Sequence, residues 1–291
     1  MMTRPLGAST GLHVSAIGLG GMPLSIAGRP PKVEATRVIH AAVEAGVTFI
    51  DTADVYCLDD DDVGHNERLI AAALAGWPRA AKVIVATKGG LVRPGGAWVT
   101  RANPRHLRAA CEASLRALGV DAIPLYQLHA PGDDVPLEES VGALGDLRRE
   151  GKIRHIGLSN VSVDEIVRAR AIAPIVSVQN RCSVFERHDL RSGGVVDYCA
   201  REGLAYIAYG PVGGTRGKVR VSEEPTLRRL AAARGASPFQ IALAWLLDQS
   251  PAILPIPGAT RAASIVDSAA AAALELDADE RAALAAAFPL A

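Results

Sequence analysis

Four side chains of this chain are able to move protons, and each stands at or just beyond the end of a short apolar run. Asp51 closes Val47–Asp51, Lys88 closes Val83–Lys88 and His129 closes Leu125–His129, while Tyr56 lies in the loop after the first run. Short runs rich in Val, Ile and Leu read as β-strands buried on both faces. A lysine that ends such a run needs a partner, because an unpaired ammonium is costly to desolvate. Asp51 offers the opposite charge. Taken singly, the Asp–Lys pair reads as structural, His129 as a core histidine satisfied by backbone, and Tyr56 as a loop aromatic. Taken together they describe a reaction. A phenol titrates near ~10 in water, and a neighbouring ammonium is expected to lower that value. Tyr56 then gives a proton to a carbonyl oxygen that gains charge, with His129 orienting the oxygen. Met22, Val55 and Trp98 are candidate apolar walls of the pocket.

The elements that must position these groups alternate along the whole chain. Strands are expected at Val14–Leu19, Val47–Asp51, Val83–Thr87, Ile123–Leu128, Ile153–Leu158, Ile175–Gln179, Leu204–Tyr209 and Ala252–Ile256. Helices are expected between them, at Ala35–Ala45, Asn66–Ala75, Pro104–Leu118, Leu137–Glu150, Val163–Ala171 and Leu190–Arg201. The last part adds Glu224–Arg234, Pro238–Gln249, Ala262–Ala273 and Ala278–Ala287. Asn103-Pro104 and Ser237-Pro238 are N-caps followed by a first-turn proline. Gly119 and Gly151 stand where helices should stop. Eight β-then-α units imply a parallel sheet, and eight close into a (β/α)8 TIM barrel rather than an open doubly wound sheet. Arg4–Val14, turning at Gly7 and Gly11, is expected to be an N-terminal β-hairpin that plugs the barrel bottom. No linker composition divides the sequence, so residues 1–291 are read as one domain.

Bulk properties narrow the function classes. The 31 basic residues balance 31 acidic ones, which argues against a nucleic-acid or membrane-surface role. Cys57, Cys111, Cys182 and Cys199 have no CxxC spacing, consistent with a reducing interior. No apolar run approaches the ~20 residues of a bilayer span and Met1–Pro5 has no apolar leader core, so a cytoplasmic location is the expectation.

The same residues carry a family resemblance. Gly46 through Tyr56, GVTFIDTADVY, with Asn66-Glu67 after it, is similar to the aspartate–tyrosine signature of the aldo-keto reductases. Ala86-Thr87-Lys88 resembles that family's lysine motif, and Leu125-Tyr126-Gln127-Leu128-His129 its histidine motif. Gly151 through Asn160, GKIRHIGLSN, resembles a further block, and the likeness runs from Arg4 to about Ser268. The resemblance implies hydride transfer between NADP(H), with NAD(H) possible, and a small-molecule aldehyde, ketone or corresponding alcohol. It implies Asp51, Tyr56, Lys88 and His129 as catalytic residues, with no metal. It also implies that Ser159, Asn160 and Gln179 hold the nicotinamide carboxamide and that Tyr209 stacks on its ring. Gly20–Met22, and so Gly21 and Met22, are read as lining the nicotinamide edge, with Asp51 beneath it. The phosphates are expected near Gly210, Pro211, Val212, Gly213 and Gly214, where glycine lets backbone approach closely. They are also expected near the helix that starts at Ala262. Ile256, Gly258, Thr260, Arg261, Ser264, Asp267 and Ser268 complete the expected cofactor site; Gly258, Ser264 and Ser268 stand where many relatives grip a 2′-phosphate with Lys, Arg and Asn, and Arg261 is the only nearby cation.

Some features depart from the family pattern. Cys57 replaces a usual glycine, and Cys182 an aromatic common in relatives. Asp59–Asp62 form an acidic insertion, read as a solvated loop rather than, with His65, a metal site. Val135–Gly145 and Val176–Val184 resemble bacterial relatives, some of which act on pyridoxal-type aldehydes. Gly18-Leu19-Gly20-Gly21 is not a dinucleotide fingerprint, because Pro23, Pro30 and Pro31 delay the helix that should open inside it. Two rival functions are a non-catalytic NADP-binding redox sensor subunit and an aldolase forming a Schiff base on Lys88. The oligomeric state is left open.

Overall fold

The computed structural model describes residues 1–290, the side chains of Thr215 and Arg216 apart. Eight parallel strands follow one another around a barrel: Leu19–Gly20 (β1), Phe49–Asp51 (β2), Ile84–Gly89 (β3), Ile123–Leu128 (β4), Ile153–Ser159 (β5), Ile175–Arg181 (β6), Ala205–Tyr209 (β7) and Ile253–Ile256 (β8). Each pairs in parallel with its sequence neighbour. The ring closes through Gly20 against Gly258, with Gly18 N donating to Pro255 O at 2.9 Å and Gly20 N to Pro257 O at 3.1 Å. A side chain at Gly20 would put Cβ 2.8 Å from the Ile256 carbonyl, and one at Gly258 would meet Pro23 at 2.6 Å. The glycines that mimic a dinucleotide fingerprint are thus the seam where the barrel meets itself.

Side chains alternate in and out along each strand. The lower inward positions are apolar: Phe49, Ala86, Leu125, Ala205, Ile207, Leu254 and Ile256 pack with Leu6 and Val14. Those last two belong to the expected N-terminal hairpin, whose strands Thr3–Pro5 and His13–Ser15 pair antiparallel, Arg4 facing Val14. Gly7 and Gly11 turn it with φ of 81° and 69°. Arg4, buried, donates to Ser250 O, Ile253 O and Leu247 O at 2.5–2.6 Å, fastening the plug. Burial pulls the Arg4 guanidinium down to about 10. Two residues further along, the inward positions become Asp51, Lys88 and Gln127.

Helices cover the outside, including Lys32–Glu44 (α1), His65–Leu74 (α2) and Pro104–Leu118 (α3). Asn103 caps the third of these through His106 N at 2.9 Å, and Ser237 caps Pro238–Gln249 through Gln240 N at 3.1 Å. Three expectations are corrected. The run Val14–Leu19 is not one strand: Val14 pairs across the hairpin, and the barrel strand starts only at Leu19. The helix expected over Leu190–Arg201 begins at Val195, because Gly193 takes a φ of 73° and Gly194 caps the start. An unexpected helix, Gly214–Glu223, follows the glycine run; its glycines and Val residues are weak helix formers. Among the described residues no single helix is long and apolar enough to cross a bilayer.

Candidate active site

Asp51, Lys88 and Gln127 end adjacent strands with inward side chains, so the barrel brings them together above its apolar floor. Lys88 Nζ donates to Asp51 Oδ1 at 2.7 Å and Oδ2 at 2.6 Å, to Thr52 O at 2.9 Å and to Tyr56 Oη at 2.9 Å. The lysine is wholly buried and Asp51 is 2% exposed. An ammonium has three donors, and four oxygens surround this one. Nζ is held as a donor on every side and has no open face from which to attack a substrate carbonyl, so the Schiff-base alternative does not fit. Gln179 Nε2 donates to Asp51 Oδ1 at 2.8 Å and Gln127 Nε2 does so at 3.2 Å. Gln127 was not anticipated, although its position two residues before His129 puts both on the same face.

Tyr56 is reached by a tight turn after β2: Tyr56 N bonds Ala53 O at 3.2 Å, and Val55, Leu91, Met22 and Ala130 pack around its ring. His129 stands edge-on to it, ring centroids 5.7 Å apart. Trp98 lies edge-on to both, at 6.4 Å from Tyr56 and 6.5 Å from His129. The expected walls Met22, Val55 and Trp98 therefore surround the phenol.

Burial sets the charges. It pulls the Lys88 ammonium below the usual lysine value, and Asp51 draws it back up. The lowering expected for Tyr56 does not occur: burial first, and then the Asp51 charge, push the phenol well above its ordinary value. Tyr56 therefore rests as a neutral phenol. Burial, and next Lys88, hold the His129 imidazole well below its ordinary value, so that ring is neutral too. Its Nδ1 is buried with no partner among the described residues.

The Asn66-Glu67 pair supports this layer from outside the barrel. Asn66 accepts from Thr52 Oγ1 at 2.6 Å and donates to Gly21 O at 2.9 Å, while Glu67 accepts from Thr87 Oγ1 at 2.5 Å. The acidic insertion is engaged piecemeal: Asp62 pairs with Arg29 at 2.5 Å, Asp60 accepts from Gly95 N at 3.3 Å, and His65 bonds Ser25 Oγ at 2.8 Å. Among the described residues no three His, Cys, Asp or Glu side chains form a metal-holding group.

The expected cofactor residues lie near or follow the C-terminal ends of barrel strands β1, β2, β5, β6, β7 and β8. Ser159 ends β5 and pairs directly with Gln179, two residues before the end of neighbouring β6. Asn160 has a φ of 59°, the one non-glycine residue with positive φ among those described; asparagine tolerates this region. That turn lets Asn160 Nδ2 donate to His129 O at 2.9 Å and Oδ1 accept from Tyr209 Oη at 2.8 Å. Gly21 N is fixed to Asp51 O at 2.8 Å. Gly213 Cβ would fall 2.6 Å from Gly217 Cα, so the Gly210–Gly214 turn cannot carry a side chain there. Pro211 and Val212 are buried, Val212 packing with Ala16, Ile17 and Leu243. Helix Ala262–Ala270 has no side-chain cap at Arg261, which is exposed beside half-buried Thr260 and Ser264. Ser268 is buried, Ile256 faces the barrel floor, and Asp267 accepts from Ser237 Oγ and Gln240 Nε2 at 2.7 and 2.9 Å.

The family model described as "Aldo/keto reductase family" matches residues 16–288. The chain belongs to the aldo/keto reductase family. It is therefore an oxidoreductase of a family that acts on carbonyl compounds. It is similar in structure to the thermostable aldo-keto reductase Tm1743 in complex with the inhibitor epalrestat, at 30% identity over 99% of this chain and 100% of that one, TM-score 0.83. It is also similar to the glycerol dehydrogenase AKR11B4 from Gluconobacter oxydans, 28% identical over 99% and 96%, TM-score 0.84. An aldo-keto reductase from Klebsiella pneumoniae in complex with NADPH is 27% identical over 99% and 96%, TM-score 0.82.

Proposed function

We propose that the protein reduces aldehydes or ketones with NADPH, using Tyr56 as the proton donor. The observation that carries this reading is the 2.9 Å contact from Lys88 Nζ to Tyr56 Oη, with the same ammonium held by both oxygens of Asp51. Lys88 donates to the phenol oxygen, so the phenol's own proton is free for the substrate. As that proton leaves, the ammonium stabilises the phenolate in place. A phenol held neutral by burial is the acid form, the form that a carbonyl reduction draws on near neutral pH. Neutral His129 carries its proton on Nε2 in this reading, with the lone pair on buried Nδ1, and donates to the substrate oxygen.

The residues at the mouth fit a nicotinamide dinucleotide. Gln179 spends its amide nitrogen on Asp51 and leaves Oε1 without a partner among the described residues, while Ser159 retains a hydroxyl donor; both suit a carboxamide. The half-buried Tyr209 ring, fixed by Asn160, offers a flat face. The uncapped start of Ala262–Ala270 and exposed Arg261 suit a phosphate, and the Klebsiella relative is described with NADPH. When bound, the cofactor supplies the hydride.

The test is NADPH and NADH oxidation against a panel of aldehydes and ketones. Tyr56→Phe is expected to lower kcat by ~10²–10⁴-fold and leave NADPH affinity unchanged. A Tyr56→Phe protein with wild-type turnover removes the assigned role. Tight NADPH binding with no turnover of any carbonyl would instead establish a redox sensor.

A further inference from the structure

We propose that Arg93 is a positioning residue for substrate: its buried guanidinium clamps the Trp98 indole as a fixed wall beside Tyr56 and His129. The inference rests on the carbonyl-reductase reading and assigns its substrate class, carbonyls with an aromatic or bulky apolar group.

Arg93 and Trp98 flank the turn of a short antiparallel ribbon after β3, in which Leu91–Val92 pairs with Val99–Thr100. A ribbon of two residue pairs is marginal on its own. Something else must hold the indole, which is 46% exposed and has only edge contacts to Tyr56 and His129. Arg93 does so. Its Cζ lies 3.9 Å from the centre of the indole ring. Its Nη2 donates to the carbonyls of Cys57 at 3.3 Å and Leu58 at 3.1 Å, the two residues that follow Tyr56. One guanidinium thus ties the wall to the proton donor's own loop.

The electrostatics mark this as more than packing. Arg93 is 5% exposed, it makes no ion pair among the described residues, and its Nε and Nη1 are buried without acceptors. A buried cation in that condition is costly. The indole face and two carbonyls offset part of the cost, but an apolar residue of similar length would satisfy the fold as well or better. Arg93 therefore does more for the geometry of the site than for stability. Met22, Val55, Leu91 and Ala130, which pack with Tyr56, are apolar, so the indole continues a hydrophobic surface beside the Tyr56–His129 apex.

The experiment compares wild type, Arg93→Met and Arg93→Lys with NADPH and either benzaldehyde or propanal. Arg93→Met is expected to raise KM for benzaldehyde about fivefold or more while kcat changes less than about twofold, the signature of lost substrate binding. KM for propanal should barely move, Arg93→Lys should fall between, and the melting temperature should stay level or rise. A second arm needs no turnover. In a Trp77→Phe/Trp245→Phe background, Trp98 is the only tryptophan, and loss of Arg93 should red-shift its emission and increase acrylamide quenching. Wild-type KM with unshifted emission overturns the proposal. So does a fall of kcat, KM effect and melting temperature together, which marks a merely structural arginine. Should wild type reduce neither aldehyde, the substrate class assigned here fails while the reductase reading still rests on the wider panel, and the emission arm decides whether Arg93 holds Trp98.

Discussion

Replacing Lys88 by methionine isolates the energetics of the ion pair beneath the phenol. The substitution keeps length and removes the cation, so Asp51 is left buried with two amide donors, Gln179 at 2.8 Å and Gln127 at 3.2 Å. Breaking one side of a buried pair costs about 3–5 kcal/mol, a fifth or more of the ~5–15 kcal/mol that holds a domain folded. The two amides retain part of the carboxylate's stabilisation, which places the expected loss near ~3 kcal/mol. The pH dependence has a definite sign. Burial pulls the Lys88 ammonium of folded wild type below the usual lysine value, so wild type gains stability as pH climbs toward that value and the variant does not, which makes the variant's deficit larger at about pH 8 than at about pH 5. Urea unfolding of the cofactor-free protein, followed by far-UV circular dichroism at both pH values, measures this. A cycle with Asp51→Asn and the double variant gives the coupling, expected at about 2 kcal/mol or more. A Lys88→Met protein within about 1 kcal/mol of wild type at the higher pH, or a double variant no more stable than the sum of the singles, would show that the pair is not the keystone its burial implies.

Asp54 gives the opposite lesson. It is buried, and burial first and Glu67 second push its carboxyl well above the ordinary value. The folded state therefore binds that proton more tightly than the unfolded one, and the stabilisation present below the ordinary carboxylate value is lost as pH climbs toward the folded value. Asn in its place keeps an oxygen for Val55 N, now at 2.7 Å, so Asp54→Asn should gain stability over wild type as pH rises, by at most ~1.4 kcal/mol per pH unit. A gain independent of pH in thermal melts would exclude that account. Gly157→Ala would set Cβ 2.5 Å from Ser177 Oγ and 2.8 Å from Gln127 Cγ, displacing the amide that braces Asp51. A loss of about 1–3 kcal/mol in urea unfolding, with lower kcat/KM, is expected; an unchanged protein would mean Gln127 does not need its place.

The barrel and its cluster were legible because strand alternation is rigid. Once Val83–Lys88 and Leu125–His129 are strands, the inward face of each is fixed by counting in twos, and Lys88 and His129 must meet at one end. The same counting puts Gln127 on the inward face, two residues before His129, where it reaches Asp51. What sequence pattern does not encode is contact across elements. Val14–Leu19 is one apolar run, yet the antiparallel partner Arg4 claims its first residues for the plug. The helix Gly214–Glu223 forms despite poor intrinsic propensity, and the stacking of Arg93 on Trp98 depends on a turn whose path no periodicity describes.

The direction of the Tyr56 shift shows where pattern reading gives way to geometry. Proximity to Lys88 argued for a lowered pKa, and the contact is there at 2.9 Å. But the same ammonium is already neutralised by both oxygens of Asp51, and a compact ion pair projects little net positive charge onto a third group. What remains is burial, which favours the neutral phenol, and the residual repulsion of the carboxylate. The pair is better understood as a latent resource. It leaves the proton on Tyr56 at rest, and in the proposed reduction it stabilises the phenolate only as the proton departs, when the ammonium can lean toward the new charge. Such a site holds an acid ready for reduction over a broad pH range, whereas a phenol already ionised at neutral pH would have no proton to give.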